Sequence, residues 1–232
     1  MKTTNKIAVV VVLVLVVLFG IAEFFAAPVS APIEPSASSS GSASAPVLEA
    51  ATQVVQYVAS MPSSSVPVKE GSCWTNSIAA AFRGDAWRCA VGNDISDPCF
   101  QIPGAQKLLC NVNPTKPNDT STFVLQLTKP LQKPQPVQGV EPAGSGWLIE
   151  LKGGTLCTPY TGTLPFTANG EAPSYACAPG PLGKDISIFN INTSSSPWTA
   201  DIGTIARAPA NSTSGLPVIA SSSTVPIVTI WQ

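Results

Sequence analysis

Gly71-Ser72-Cys73-Trp74 is the stretch of this chain that comes closest to a reactive centre. A thiol beside a glycine and an aromatic residue can serve as a nucleophile, but only as the thiolate. A neighbouring base must supply that form, and histidine is the usual one. The chain has no histidine. That removes Cys-His and Ser-His-Asp hydrolysis, zinc sites built on imidazole, and histidine proton transfer near neutral pH. What remains open to it is paired carboxylates, a Ser-Lys dyad, or an all-cysteine metal site.

The wider context of Cys73 points the same way. The papain-like signature is Cys-Gly-Ser/Ala-Cys-Trp/Tyr. Here its first cysteine is Glu70, and Pro67 stands where that family keeps an oxyanion-binding glutamine. A protease reading of Cys73 is therefore rejected. Instead, the six cysteines at 73, 89, 99, 110, 157 and 177 form an even set with no Cys-x-x-Cys pair. In an oxidising compartment such a set reads as a disulfide framework, not a zinc ribbon or a thioredoxin motif. Fifteen pairings are formally open. Cys157 with Cys177 is the favoured one, closing a hairpin-scale loop.

The compartment follows from the amino terminus. Lys2 and Lys6 precede an apolar run from Ile7 to Ala22, which resumes after Glu23 as far as Ala27. Residues 7–27 are long enough to cross roughly 30 Å of hydrocarbon. The flanking lysines place the amino terminus inside the cell and the rest outside. Small-x-small sites end at Ala31 and Ala45, but Pro32 and Pro46 follow them and disfavour signal cleavage. Residues 1–27 thus read as an uncleaved signal anchor, with secretion after cleavage as the alternative. Residues 28–46, nearly all Ser, Ala and Pro, read as a disordered stalk, roughly 25 Å long as a coil and about 65 Å stretched.

Beyond the stalk, residues 47–62 carry an amphipathic helical pattern. Leu48, Ala51, Val55 and Val58 fall on one face, and Pro62 ends the segment. A strand at "VVQYV" is the competing reading. The remainder, 69–232, reads as mainly β, a disulfide-stapled sandwich or barrel-like domain. Strand-like runs occur at 122–128, 147–151, 155–166, 174–178, 185–192 and 225–232, separated by Gly, Pro, Asn and Ser clusters. The Pro-rich stretch 129–146 is either a connection between subdomains 69–128 and 147–232 or a long loop in a single domain.

Taken together, "GSCWTNSIA", "DAWRC", "VGNDISDPCF", "GWLIELKGGTLC", "YAC" and "PWTA" resemble a group of exported bacterial proteins. That group shares G-x-C-W-T-x-S, R-C and D-P-C-F blocks and a later W…C…Y-x-C region. The resemblance covers residues 69–232. It implies a cell-envelope setting and brings no activity and no site residue with it.

The candidate ligand residues are Asp94, Asp97, Trp74 and Trp87. Asp94 and Asp97 in "GNDISDPC" could bind calcium or act as a carboxylate pair, but Asx-turns leading into Pro98 account for them as well. Trp74 and Trp87, with Trp147, Trp198, Trp231, Tyr57, Tyr160 and Tyr175, could stack on sugars or fill a core. Arg83-Gly84-Asp85 spells an adhesion tripeptide and also fits a turn, with Arg88 placed to pair with Asp85, Asp94 or Asp97. Sequons stand at Asn118, Asn192 and Asn211. The net charge of −1 becomes −3 once Lys2 and Lys6 are set aside, and there is no basic run, so nucleic acid is not an expected partner. Gly153-Gly154 fits a hairpin turn better than a phosphate loop, and no cofactor or metal is called for.

These readings converge on a membrane-tethered, extracytoplasmic binding or envelope-structural module without catalytic activity, whose partner is an envelope protein or glycan. Two alternatives stand beside it. One is a carboxylate hydrolase of envelope polymers using Asp85, Asp94, Asp97 and Glu150. The other is a secreted inhibitor-like disulfide domain.

Overall fold

A computed structural model describes residues 49–62, 65–117, 119–135, 142–178, 186–207, 210 and 215–232. The expected anchor at 7–27, the stalk at 28–46 and the sequons at Asn118 and Asn211 lie outside the described residues. Among the described residues there is no helix, and so none long and apolar enough to cross a membrane. Residues from Val47 to Gln232 belong to one compact unit that contains two closed sheets.

The first barrel comprises β2 (Val68–Asn76), β3 (Ala86–Val91), β4 (Asp94–Gln101), β5 (Lys107–Cys110) and β6 (Phe123–Leu127). Each strand runs antiparallel to the next. With five strands the first and last then point the same way, so the closing pair β2/β6 must be parallel, and it is. β2 serves two partners in turn. Residues 68–71 pair with β6, and 72–76 with β3. The changeover falls at Gly71, where a Cβ would meet the Ala90 carbonyl oxygen at 2.3 Å and Leu125 at 2.9 Å. Beyond Gly71, the start of the Pro-rich connection takes over the edge that β6 leaves. The Asn76 side chain exchanges hydrogen bonds with the backbone of Gln135 at 3.1 and 3.3 Å, and the Thr128 amide donates to Gly71 at 2.8 Å. An open strand edge is thereby covered.

The second barrel comprises β7 (Leu148–Leu151), β8 (Thr155–Pro159), β9 (Tyr175–Cys177), β10 (Ile186–Asn192), β11 (Thr199–Ala206) and β12 (Val218–Trp231). Six antiparallel strands bring the last back against the first in antiparallel sense, as β12/β7. The turn between β7 and β8 holds Gly153 and Gly154 at φ of 97° and 81°, a conformation open to glycine at little cost. β12 also changes partners, from β11 along 218–226 to β7 along 227–231. Pro226 marks the handover. The strand thus continues well before it, through "VIASSST", where the sequence suggested a run beginning only at Val225.

Of the segment 47–62, the described residues 49–62 do not form the expected helix and instead hold a short strand, β1 (Gln53–Val55). β1 lies parallel to β12 on the edge that β11 has vacated, with Thr52 at the junction. The Thr52 hydroxyl donates to the Ile227 carbonyl and accepts the Trp198 amide, both at 2.8 Å. The pairing continues past the strand, with Gln232 N to Val55 O and Tyr57 N to Gln232 O at 2.9 Å. Backbone bonding to an open edge, together with burial of Val55, Tyr57 and Ala59, outweighs the local helical period.

Each barrel has its own core. Trp87, Phe123, Leu108 and Leu125 fill the first with four cysteines, and an isoleucine-rich set including Ile149, Ile188, Ile227 and Ile230 fills the second. A third cluster, with Phe100, Ile102, Leu109, Val124, Trp147, Leu148 and Trp231, joins them. Tyr57, Phe100 and Trp147 meet there with ring centroids 4.8–5.3 Å apart.

Candidate functional site

The cysteines form three disulfides, Cys73–Cys89, Cys99–Cys110 and Cys157–Cys177. Each joins residues that face each other on neighbouring antiparallel strands, with Cα atoms 3.9, 4.2 and 3.8 Å apart. Facing positions come this close in the narrow pairs of an antiparallel ladder, so the bridge needs no backbone detour. All six cysteines are buried, and Cys73 is a staple of the first barrel with no thiol to offer.

The four candidate ligand residues do not converge. Asp94 and Asp97 lie in strand β4, not in Asx-turns. At a spacing of three they fall on opposite faces of the strand. Asp94 is exposed, whereas the Asp97 side chain is buried and fully engaged. It accepts the Ser77 hydroxyl at 2.5 Å and the Ile78 amide at 3.2 Å, and lies 3.6 Å from Arg88. Ser77 in turn accepts the Ala80 amide at 2.8 Å. Asp97 therefore pins the 77–83 turn against the barrel wall. Trp87 is 1% exposed and belongs to the core, so it cannot form a stacking platform. Trp74, on the bulged part of β2, keeps 43% of its surface exposed.

The remaining acids are also scattered. Asp85 forms a two-bond pair with Arg83, at 2.9 and 2.6 Å. Arg83 lies over the Phe100 ring at 4.9 Å and donates to the Gln232 carbonyl at 2.6 Å, linking the barrels. The Arg83-Gly84-Asp85 tripeptide is thus folded inward at its arginine, whose side chain is only 13% exposed. Beside it, burial raises the Tyr57 phenol above its ordinary 10.0; the Arg83 charge opposes this and the Asp85 charge adds to it. Glu150 lies on β7 in the other barrel. Among the described residues, no three acidic or cysteine side chains group as metal ligands.

A cavity of about 450 Å³ lies at one end of the second barrel, lined by Ile186, Ile202, Gly203, Thr204 and Ser221 to Ser223. Strand register gives it an inner face. Ile202 faces Ser223, Thr204 faces Ser221 and Ile186 faces Thr204. Ile186 and Ile202 belong to the core, so Thr204, Ser221 and Ser223 share their side of the ribbon, with Thr204 half-buried and the two serines exposed at its rim. The Ser221 and Thr204 hydroxyls are 3.2 Å apart, as one shared face requires. Among the described residues, no ionisable side chain lines the cavity. None of these residues stood out in the sequence, because "SSST" reads as a turn. The available clue was that this run leads without a break into the apolar "VPIVTIW".

No protein family matches this chain, and neither a curated protein nor a solved structure is significantly similar to it.

Proposed function

We propose that this chain is a membrane-tethered extracytoplasmic module that binds an envelope protein or glycan and has no chemistry of its own. The observation that carries the proposal is the set of three buried disulfides at facing strand positions. Such bonds persist in an oxidising compartment and are rare where thiols are kept reduced. The apolar segment 7–27 and the Ser/Ala/Pro stalk supply the tether in this reading. The resemblance to exported bacterial proteins agrees with it. Asp85 and Asp97, two of the acids a carboxylate hydrolase would use, are each held by an arginine, which favours binding over hydrolysis.

Fractionation of cells making the full chain tests the proposal. The protein should stay with membranes through a high-salt wash and leave with detergent. In intact cells it should be cut by added protease, and alkylation without reductant should find no free thiol. A chain recovered in the cytosol with alkylatable cysteines would overturn it.

A further inference from the structure

We infer that the open end of the second barrel binds an uncharged, hydroxyl-bearing ring, one or two sugar residues of a glycan; this rests on the binding-module reading above. The inward positions of β12 are apolar at Val225, Ile227 and Ile230, as a barrel interior requires. Further towards the amino end of the same strand, and on the same face, they become Ser223 and Ser221. The outer face of that ribbon is mixed, with Asp201, Ser222 and Thr224 exposed along it. There Phe189 and Ile219 close over Gly203 so tightly that a Cβ would meet each at 2.9 Å. Hydroxyls at Ser221 and Ser223 interrupt the inward apolar stripe at the exposed rim of the barrel, and such breaks of pattern fall preferentially at functional sites.

The lining specifies the ligand. With no ionisable side chain among the described lining residues, none of them compensates a phosphate, a carboxylate or a metal ion. Hydroxyls of Thr204, Ser221 and Ser223 both donate and accept, matching ligand hydroxyls in either sense. The Ile186 and Ile202 floor can take the apolar C–H face of a pyranose ring. A volume of about 450 Å³ falls within the roughly 300–1,000 Å³ of small-molecule sites. The hydroxyls are carried by paired strands, which fix their positions more firmly than a loop would.

The test uses the full chain in a detergent without a sugar headgroup. Saturation-transfer NMR is recorded with methyl β-N-acetylglucosaminide, methyl α-mannoside and methyl α-glucoside, with cyclohexanol and glucose 6-phosphate as controls. At least one glycoside should bind saturably and more tightly than either control. Ser223→Leu, which fills the opening, should weaken that binding at least tenfold. Ser221→Ala and Thr204→Val should each weaken it roughly three- to tenfold. If Ser223→Leu fails to fold, the Ser221→Ala/Ser223→Ala pair takes its place, with a loss of at least tenfold expected.

Three results would overturn the inference and leave only a solvent-filled barrel end: no glycoside binding, glycoside binding indifferent to these substitutions, or cyclohexanol binding equally well. Envelope polysaccharide captured equally by the wild type and Ser223→Leu would also remove the barrel end as the site, while leaving the binding-module reading in place.

Discussion

Reducing the three disulfides should cost most of the stability of the folded unit. In the chain-entropy account, a crosslink stabilises by shrinking the unfolded ensemble, in proportion to the logarithm of the loop it closes. The closed loops have sequence separations of 16, 11 and 20. That gives about 3 kcal/mol for each bridge and roughly 9 kcal/mol together. A domain of ordinary stability has on the order of 5–15 kcal/mol in total. The loss should be uneven, because the first barrel is a small unit with little core and carries two of the bridges. The Cys157→Ala/Cys177→Ala variant should lose about 3 kcal/mol, or roughly 6–12 °C in Tm for a unit of this size. Removing Cys73–Cys89 and Cys99–Cys110 together should cost about twice that. Calorimetry and urea unfolding of each variant, with and without a phosphine reductant, measure these terms. Reductant should act slowly on the native protein, since every cysteine is buried. A fully reduced chain melting within about 5 °C of the oxidised one would refute the reasoning. So would a larger loss from the single bridge of the second barrel than from the pair in the first.

Three further perturbations probe the joints of the fold. Arg83→Ala removes the hydrogen bond to the Gln232 carbonyl, the pair with Asp85 and the contact with Phe100. It should cost about 2–4 kcal/mol in urea unfolding, and a cost below 1 kcal/mol would show that Arg83 does not tie the barrels. Asp97→Ala strips Ser77, Ile78 and Arg88 of their shared partner. About 3 kcal/mol should be lost, with faster proteolysis within residues 77–83; cleavage there unchanged from wild type would remove Asp97 as the pin of that turn. The third perturbation is alkaline pH. Burial raises the Tyr57 phenol in the folded state, so its contribution is fully present below about pH 10 and is lost as pH rises through the raised folded value. Between pH 9 and 11 the wild type should therefore lose more stability than Tyr57→Phe; parallel losses in the two proteins would contradict that origin.

The sequence by itself determined the features that rest on residue type. Six cysteines, no histidine and a succession of β-branched runs between turn residues lead to a mainly β, crosslinked fold in which Cys73 is not a nucleophile. Cys157 and Cys177 could be matched because little separates them but a turn region and two short strands. Leu148–Leu151, Ile186–Asn192 and Phe123–Leu127 were legible because their apolar content is high enough to mark strands locally. Tertiary structure decided whatever depends on an edge or a face supplied from elsewhere. Residues 53–55 became a strand because β12, whose paired residues lie 176 positions further along the chain, offers an unpaired edge there. Asp94 and Asp97, neighbours in sequence, are parted by the pleat, and Asp97 is buried because Arg88 and Ser77 come to meet it. Ser221 and Ser223 of the run "SSST" came to share the side of Ile202 only through their register against β11. Local composition records what a residue prefers; the partner across the ladder, and the side of the sheet on which it falls, are settled only when distant strands close the barrel.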